Sequence, residues 1–293
     1  MSKPTRVKFL NKNGDWVEET CHDILTCREH KEALNRTRKM TANDKALAIN
    51  FVDIETDNNV MSIFEEEITL GFEPDSIEQA LIMAESVIGK TFNEINVKGT
   101  FDSTVGDNSK NKGYLGNLFQ ENIYGLDANS DKGADLKSLG VELKVVPLVR
   151  DRKGNLKPKE RIVANIINFE EEDLSGDFTK SSFFDKNNKS LFVFYEVTDR
   201  KNQANNRIVK VLYHDLTESS EYEQIVTDYK TINQKIANGD AHNISGRDTV
   251  FLEACTKGSG KGKDLRKQPK SDTLAKQRAY ALKTKYVQLL LDK

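Results

Sequence analysis

The sequence predicts an α/β fold, a layered α+β domain with a mixed sheet, and three observations carry that prediction. Three runs rich in β-branched and aromatic residues, RIVANIINF (161–169), LFVFYEV (191–197) and RIVKVLYHD (207–215), lie close together in mid-chain and read as strands. Segments with helical spacing flank them on both sides, which is the order of a sheet covered by helices. The chain has 293 residues, 37% hydrophobic and 31% charged, enough for one large domain or for a domain with a small appendage.

Taken in order, VKFL and WVEE form a short hairpin around the Asn13-Gly14 turn signal. Residues 20–39 read as a polar helix. The acidic stretch FEEEITLGFEP (64–74) then ends in Gly71 and Pro74, which punctuate the chain. This break predicts an N-terminal extension over 1–75 and a main domain over 76–293. DSIEQALIMAESVIGKTFNEI (75–95) has apolar residues at 77, 80, 81, 83, 84 and 87, with Ser76 as N-cap and Glu78 in the first turn, and predicts an amphipathic helix. TFDSTVGDNSKNK (100–112) is a polar loop, and Gly113 opens a helix over Leu115–Tyr124. Val141–Val149 is a strand and RDRKGNLKPKE (150–160) a long turn. Ser219–Ala237 is a helix. The glycine-rich basic loop KGSGKGKDLRKQPK (257–270) precedes a last long helix over Asp272–Leu291.

Charge is unevenly spread. Ten Lys or Arg and two Asp fall between Thr256 and Tyr286, a local +8 in a chain whose net charge is −2, so the rest carries −10. One basic segment in a near-neutral chain predicts one polyanion-facing surface. No stretch has the ~20 apolar residues of a membrane span. Cys21, Cys27 and Cys255 make an odd count without framework spacing, and MSKPTRVKFLNKNGDW has no apolar core of a leader. Both features fit a cytoplasmic protein. Cys21, His22, Cys27 and His30 are zinc-ligand types, but their spacing is not that of paired ligands and an ordinary helix is the better reading. GSGKGK (258–263) lacks the spacing of a phosphate loop and reads as a flexible segment that orders on DNA. Trp16 and the aromatic cluster at 192–195 are core.

The chemistry lies in ADLKSLGVELK (134–144). Residues two apart in a strand share a face, so Glu142 and Lys144 project together while Val141, Leu143 and Val145 face the other way. A turn at Ser138-Leu139-Gly140 brings the Asp135 carboxylate beside that of Glu142. Two close carboxylates repel unless a divalent cation lies between them. Mg²⁺ is commonly held by one or two carboxylates together with substrate phosphate and water. An adjacent ammonium orients or helps deprotonate the attacking water. D-x(n)-E-x-K therefore predicts metal-dependent phosphodiester hydrolysis; the plain alternative is a solvated cross-strand ion pair.

Five ordered blocks, KGYLGNLFQENIYG, ADLKSLGVELKVVPL, KERIVANIINF, FFDKNNKSLFVFYE and DLRKQPKSDTLAKQRAYALK, resemble the MutH/GATC-restriction-endonuclease family from about residue 76 to the end. The resemblance implies a restriction-endonuclease-like core with flanking helices. It also implies Mg²⁺ as cofactor and double-stranded DNA containing GATC as substrate. It places the metal-binding carboxylates at Asp135 and Glu142 and the catalytic lysine at Lys144. A further active-site lysine falls at Lys186, with Lys189 as the neighbouring alternative. The base-reading loop falls on Gln268, Pro269 and Lys270, and an aromatic used near the DNA, on the last helix, on Tyr280. Lys257, Lys261, Lys263, Arg266 and Lys267 complete the expected DNA face. The family's first helix carries a glutamate where Gln120 stands here, with Glu121 beside it but about 100° around the helix.

The reading is thus a type II restriction endonuclease cutting at GATC. The alternatives are a MutH-like mismatch-repair nickase and a catalytically silent GATC-binding module. The chain ends in LLLDK directly after the last expected helix, which the resemblance connects with self-association on DNA or with a second, C-terminal module.

Overall fold

Strands buried on both faces read as continuous apolar runs, and the central sheet is built from such strands. The computed structural model describes residues 70–97, 99, 113–127, 133–258 and 264–293, together with the backbone of two strands nearer the N-terminus. The chain divides into two compact units, 1–69 and 70–293. In the first, β1 (Thr5–Leu10) and β2 (Trp16–Cys21) pair antiparallel, with Leu10 opposite Trp16. The helix expected over 20–39 is corrected at its start, where residues 20 and 21 belong to β2. The Asn13-Gly14 turn, the rest of that helix with His22, Cys27 and His30, the acidic residues 65–67 and the polar loop 100–112 lie outside the described residues.

The second unit opens with α1 (Ile77–Glu85), whose N-cap is Ser76, accepting from the Gln79 N–H at 3.1 Å. The single helix expected over 75–95 is two. Gly89 takes φ +87° and donates its N–H to Ile208 O at 2.8 Å, ending the first helical segment. Thr91 then opens α2 (Phe92–Ile95) with a capping box to Glu94. α3 (Tyr114–Tyr124) follows and ends at Gly125 in the left-handed region.

β3 (Glu142–Arg150) lies in a four-stranded sheet of order β4-β3-β6-β7. The stretch 150–160, expected as a turn, folds back as β4 (Leu156–Pro158), antiparallel to β3. Asp151 closes this hairpin by accepting from the Lys153 and Asn155 N–H groups at 2.8 and 3.0 Å. β6 (Lys189–Glu196) runs parallel to β3, and β7 (Arg207–Asp215) runs antiparallel to β6. One face of this sheet packs Leu143, Leu191, Val193 and Ile208 against α1, α2 and α3. The other buries Val146, Leu148, Phe192 and Phe194 against α5 (Tyr222–Ala237) and a second sheet.

That second sheet has the order β5-β11-β8, with β5 (Ile162–Ile167), β8 (Leu252–Thr256) and β11 (Arg278–Leu282), all antiparallel neighbours. It corrects the helix expected over 272–291. There the chain forms β10 (Ser271–Lys276), paired with β9 (Leu265–Gln268), then β11, and only then α6 (Thr284–Asp292). Alanine-rich RAYAL favours a helix by local propensity. In the centre of a sheet its small residues Ala279 and Ala281 lie wholly buried on one face and Tyr280 on the other, and packing overrides propensity. Among the described residues no helix is long and apolar enough to cross a membrane.

Candidate active site

The site begins at a tight reversal before β3. Leu136 and Val141 form an isolated bridge, residues 137–140 turn, and Gly140 takes φ +63°, which a side-chain-bearing residue adopts only at a cost. The reversal brings Asp135 back along the start of β3, where its Oδ2 accepts from the Leu143 N–H at 3.0 Å. Glu142 is the first residue of β3 and Lys144 shares its face, as the two-residue period requires; the Lys144 ammonium pairs with Glu142 Oε1.

The fourth member comes from elsewhere. Parallel pairing sets Glu142 opposite Ser190 at the start of β6, and α4 (Ser182–Asn187) lies immediately before that strand. Lys186 on α4 therefore sits at the same end of the sheet, its Nζ 3.6 Å from Glu142 Oε1. Lys189, the neighbouring alternative, stands opposite Asp215 across the β6–β7 pair.

Glu142 is 3% exposed, and its Oε2 is buried without a hydrogen-bond partner. Burial is the largest influence on its carboxyl and raises its pKa above the ordinary range. Lys144 pulls the other way, the neighbouring Asp135 charge adds to the rise, and Lys186 opposes it. A buried carboxylate oxygen with no donor, beside a second carboxylate, suits a divalent cation. Among the described residues no group of three or more His, Cys, Asp or Glu that could hold a metal converges, and the residues that could hold an ion here are the two carboxylates of Asp135 and Glu142. That set fits Mg²⁺ held jointly with a substrate phosphate.

Gln120 is buried on α3, and its amide donates to Asp127 O at 3.4 Å. Glu121, the next residue on the helix, is half-buried.

The basic segment divides into several parts. Lys257, Arg266, Lys267 and Lys270 are exposed. Lys261 and Lys263 lie outside the described residues. Gln268 and Ser271 pair across the β9–β10 hairpin, with Pro269-Lys270 as the two-residue tip. Lys270 has φ +54°, the left-handed value that the position after a turn proline commonly takes. Two expected DNA contacts are corrected. Gln268 is 6% exposed, and its amide is used within the chain: Oε1 accepts from the Ala241 N–H at 2.7 Å, while Nε2 meets His242 Nδ1 at 3.0 Å and donates to Thr273 O. Its polarity serves the hairpin and leaves it no free edge for a base. Tyr280 sits on β11, fully buried, and its hydroxyl donates to Glu172 Oε1 at 3.2 Å. Arg278, counted in the basic segment, is buried too, its guanidinium donating to the Ala254 and Ile244 carbonyls.

Sequence reasoning missed Glu172 and His242. Glu172 is one of four consecutive acidic residues in EEED (170–173), and nothing in the run distinguishes the buried one.

Residues 124–228 match the family model described as DNA mismatch repair enzyme MutH, a span that contains Asp135, Glu142, Lys144 and Lys186. The chain is also 38% identical over 212 residues to the type II restriction enzyme Sau3AI of Staphylococcus aureus, an alignment covering 72% of this chain and 41% of that enzyme. It thus spans about two fifths of the length of the curated relative it matches. The mixed sheet flanked by helices, the family match across the carboxylate–lysine cluster and the 38% identity over 72% of the chain together make this chain similar to the MutH-like family, with a restriction-endonuclease-like fold.

Proposed function

We propose that this chain is the catalytic part of a Mg²⁺-dependent type II restriction endonuclease that hydrolyses phosphodiester bonds of double-stranded DNA at GATC. The observation that carries the reading is the meeting of Lys144 and Lys186 at Glu142, whose Oε2 is buried and unpartnered, with Asp135 held at the Leu143 N–H near enough for its charge to act on the Glu142 carboxyl. Asp135 and Glu142 are the residues to hold the ion. When bound, Mg²⁺ supplies Lewis-acid stabilisation of the charge that builds on the phosphate. Lys144 orients the attacking water and offsets charge at the phosphorus-bound oxygens. Lys186 adds a second ammonium at the same carboxylate, keeping the site's charge balanced when the DNA phosphate arrives. Lys257, Arg266 and Lys267 are the phosphate contacts, and Lys270 is the base reader, because lysine donates to guanine O6 and N7.

The test is cleavage of GATC-containing and scrambled duplexes in Mg²⁺ and in EDTA. Lys144→Ala abolishes cleavage while binding to the GATC duplex in EDTA stays near that of the parent protein. Near-normal cutting by that variant reduces the lysine to an ion-pair partner. A second reading, nicking of one strand, draws on the match to the MutH model. Supercoiled plasmid distinguishes the two, since a nickase stops at the open circle. Whether two copies pair on DNA or a further module takes part is read from cleavage order against protein concentration.

A further inference from the structure

A second buried carboxylate lies behind the site, outside the catalytic cluster. Glu172 is 7% exposed and follows β5 in a turn held by its own N–H donating to Asn168 O at 2.9 Å. Three donors converge on it. The Ser182 N–H reaches Oε1 at 3.2 Å, the Ser182 hydroxyl reaches Oε2 at 2.6 Å, and the Tyr280 hydroxyl reaches Oε1 at 3.2 Å. Ser182 is the first residue of α4. Its hydroxyl also accepts from Asn165 Nδ2 on β5 at 2.9 Å, and Asn187 at the far end of α4 donates to Asn165 Oδ1 at 3.3 Å. Between these anchors Phe183 is buried, its ring 5.7 Å from that of Tyr280.

Lys186 stands four residues after Ser182, one turn along the same helix. A six-residue helix has too few internal hydrogen bonds to hold its own orientation, so its placement is set by its surroundings. Ser181 caps it and donates to Phe178 O at 2.7 Å, while Ser182 and Asn187 tie it to the residues of and after β5, with Glu172 the hub at Ser182.

We propose that Glu172 is a positioning residue: it fastens the start of α4 to the β5–β11 sheet and so holds the Lys186 ammonium at Glu142. The inference rests on the catalytic role proposed for Lys186. Burial raises the Glu172 carboxyl, and the Ser182 and Tyr280 hydrogen bonds oppose that rise, as in a carboxylate kept in place by its donors.

The test compares the parent protein with Glu172→Ala and Glu172→Gln, the latter retaining an acceptor oxygen in the same space. Three quantities are read: the single-turnover cleavage rate on a GATC duplex in Mg²⁺, the affinity for that duplex in EDTA, and amide exchange of residues 182–187 in the free protein. Glu172→Ala lowers the rate by about tenfold or more, because small displacements of a reacting group are costly. It speeds exchange in α4 and leaves duplex affinity within about twofold, since binding energy resides mainly in phosphate contacts elsewhere. Glu172→Gln recovers most of the rate and the protection. An unchanged rate, unchanged exchange in α4, or affinity lost in parallel with the rate overturns the proposal. Should Glu172→Ala fail to fold, Ser182→Ala, at an exposed position, removes the shortest of the three bonds and is read with the same signs. Failure of the underlying reading looks different: the parent protein does not cleave, or Lys186→Ala cleaves at the parent rate.

Discussion

Glu142 concentrates the electrostatic strain of the site in one side chain. Its pKa is raised in the folded protein, chiefly by burial, so the folded state retains a proton that the unfolded chain has released. For this group stability is greatest below the ordinary carboxylate pKa and declines as pH rises through the raised one. Glu142→Gln removes that cost. The variant is expected to melt at a higher temperature than the parent at pH 7 while losing Mg²⁺ affinity, as calorimetric titration would show; a lower melting temperature means that the two ammonium groups outweigh the burial. With Glu142 as the proposed ligand, Mg²⁺ affinity of the parent is expected to fall on acidification at a pH above that of an exposed glutamate, because the ion needs the carboxylate. His214 acts in the opposite sense. It is buried against the Tyr286 hydroxyl at 2.8 Å, and burial lowers its pKa from 6.5 to about 4. The unfolded chain takes up a proton that the folded state refuses, so stability falls as pH drops from 6.5 towards 4, by on the order of 3 kcal/mol. Urea denaturation of the parent and His214→Gln across that range checks this: the variant should lack the acid loss.

At the scale of elements, the β9–β10 hairpin is the part whose sequence and structure diverge most in meaning. Its tip rests on Gly239, where an added Cβ would lie 2.9 Å from Pro269 O and 3.0 Å from Lys270 O. Gln268 ties the same tip to Ala241 and His242. The hairpin is held from below, and Lys270 stands at its apex in a left-handed conformation that costs a non-glycine residue roughly 1–2 kcal/mol. The turn after Pro269 sets this conformation, and it holds the exposed Lys270 side chain at the apex, where the proposed base contact needs it. Lys270→Gly separates the two quantities. Its thermal stability should equal or exceed the parent's, by about 1 kcal/mol, while the ratio of affinities for GATC and scrambled duplexes falls. Lys257→Ala should weaken both duplexes alike and reduce the salt dependence by about one ion. Equal losses on both duplexes for the two variants would remove Lys270 as the reader.

At the scale of the whole molecule, the division at residues 69 and 70 leaves the four-stranded and three-stranded sheets, the β9–β10 hairpin, the two apolar clusters on the faces of the central sheet and the carboxylate–lysine site in the second unit. A protein of residues 70–293 is expected to fold and melt cooperatively by itself, with Glu142 still buried. Its Mg²⁺ affinity should match that of the full chain. A non-cooperative melt would mean that the first unit completes the core of the second.

The same scale separates what was legible in the sequence from what was not. The central strands and the Glu142–Lys144 pair followed from periodicity, because strand geometry fixes which residues share a face whatever the neighbours are. Asp135 followed from Gly140, a local turn. Lys186 came from the family resemblance and not from spacing: its place at Glu142 depends on parallel pairing of β3 and β6, a contact across more than forty residues that no local rule encodes. Residues 272–276 of β10 and strand β11, expected as helix, and β9, expected as loop, are strands for the same reason. Ala, Leu, Lys and Gln favour helix locally, and only the gap between β5 and β8 selects a strand. Burial reassigned Gln268 and Tyr280 from DNA contacts to supports, and it picked Glu172 out of four adjacent acids. Composition and spacing determine which chemistry this chain carries. Which side chains reach the site, and which hold those that do, is decided by long-range packing, since solvent exposure is a property of the assembled fold.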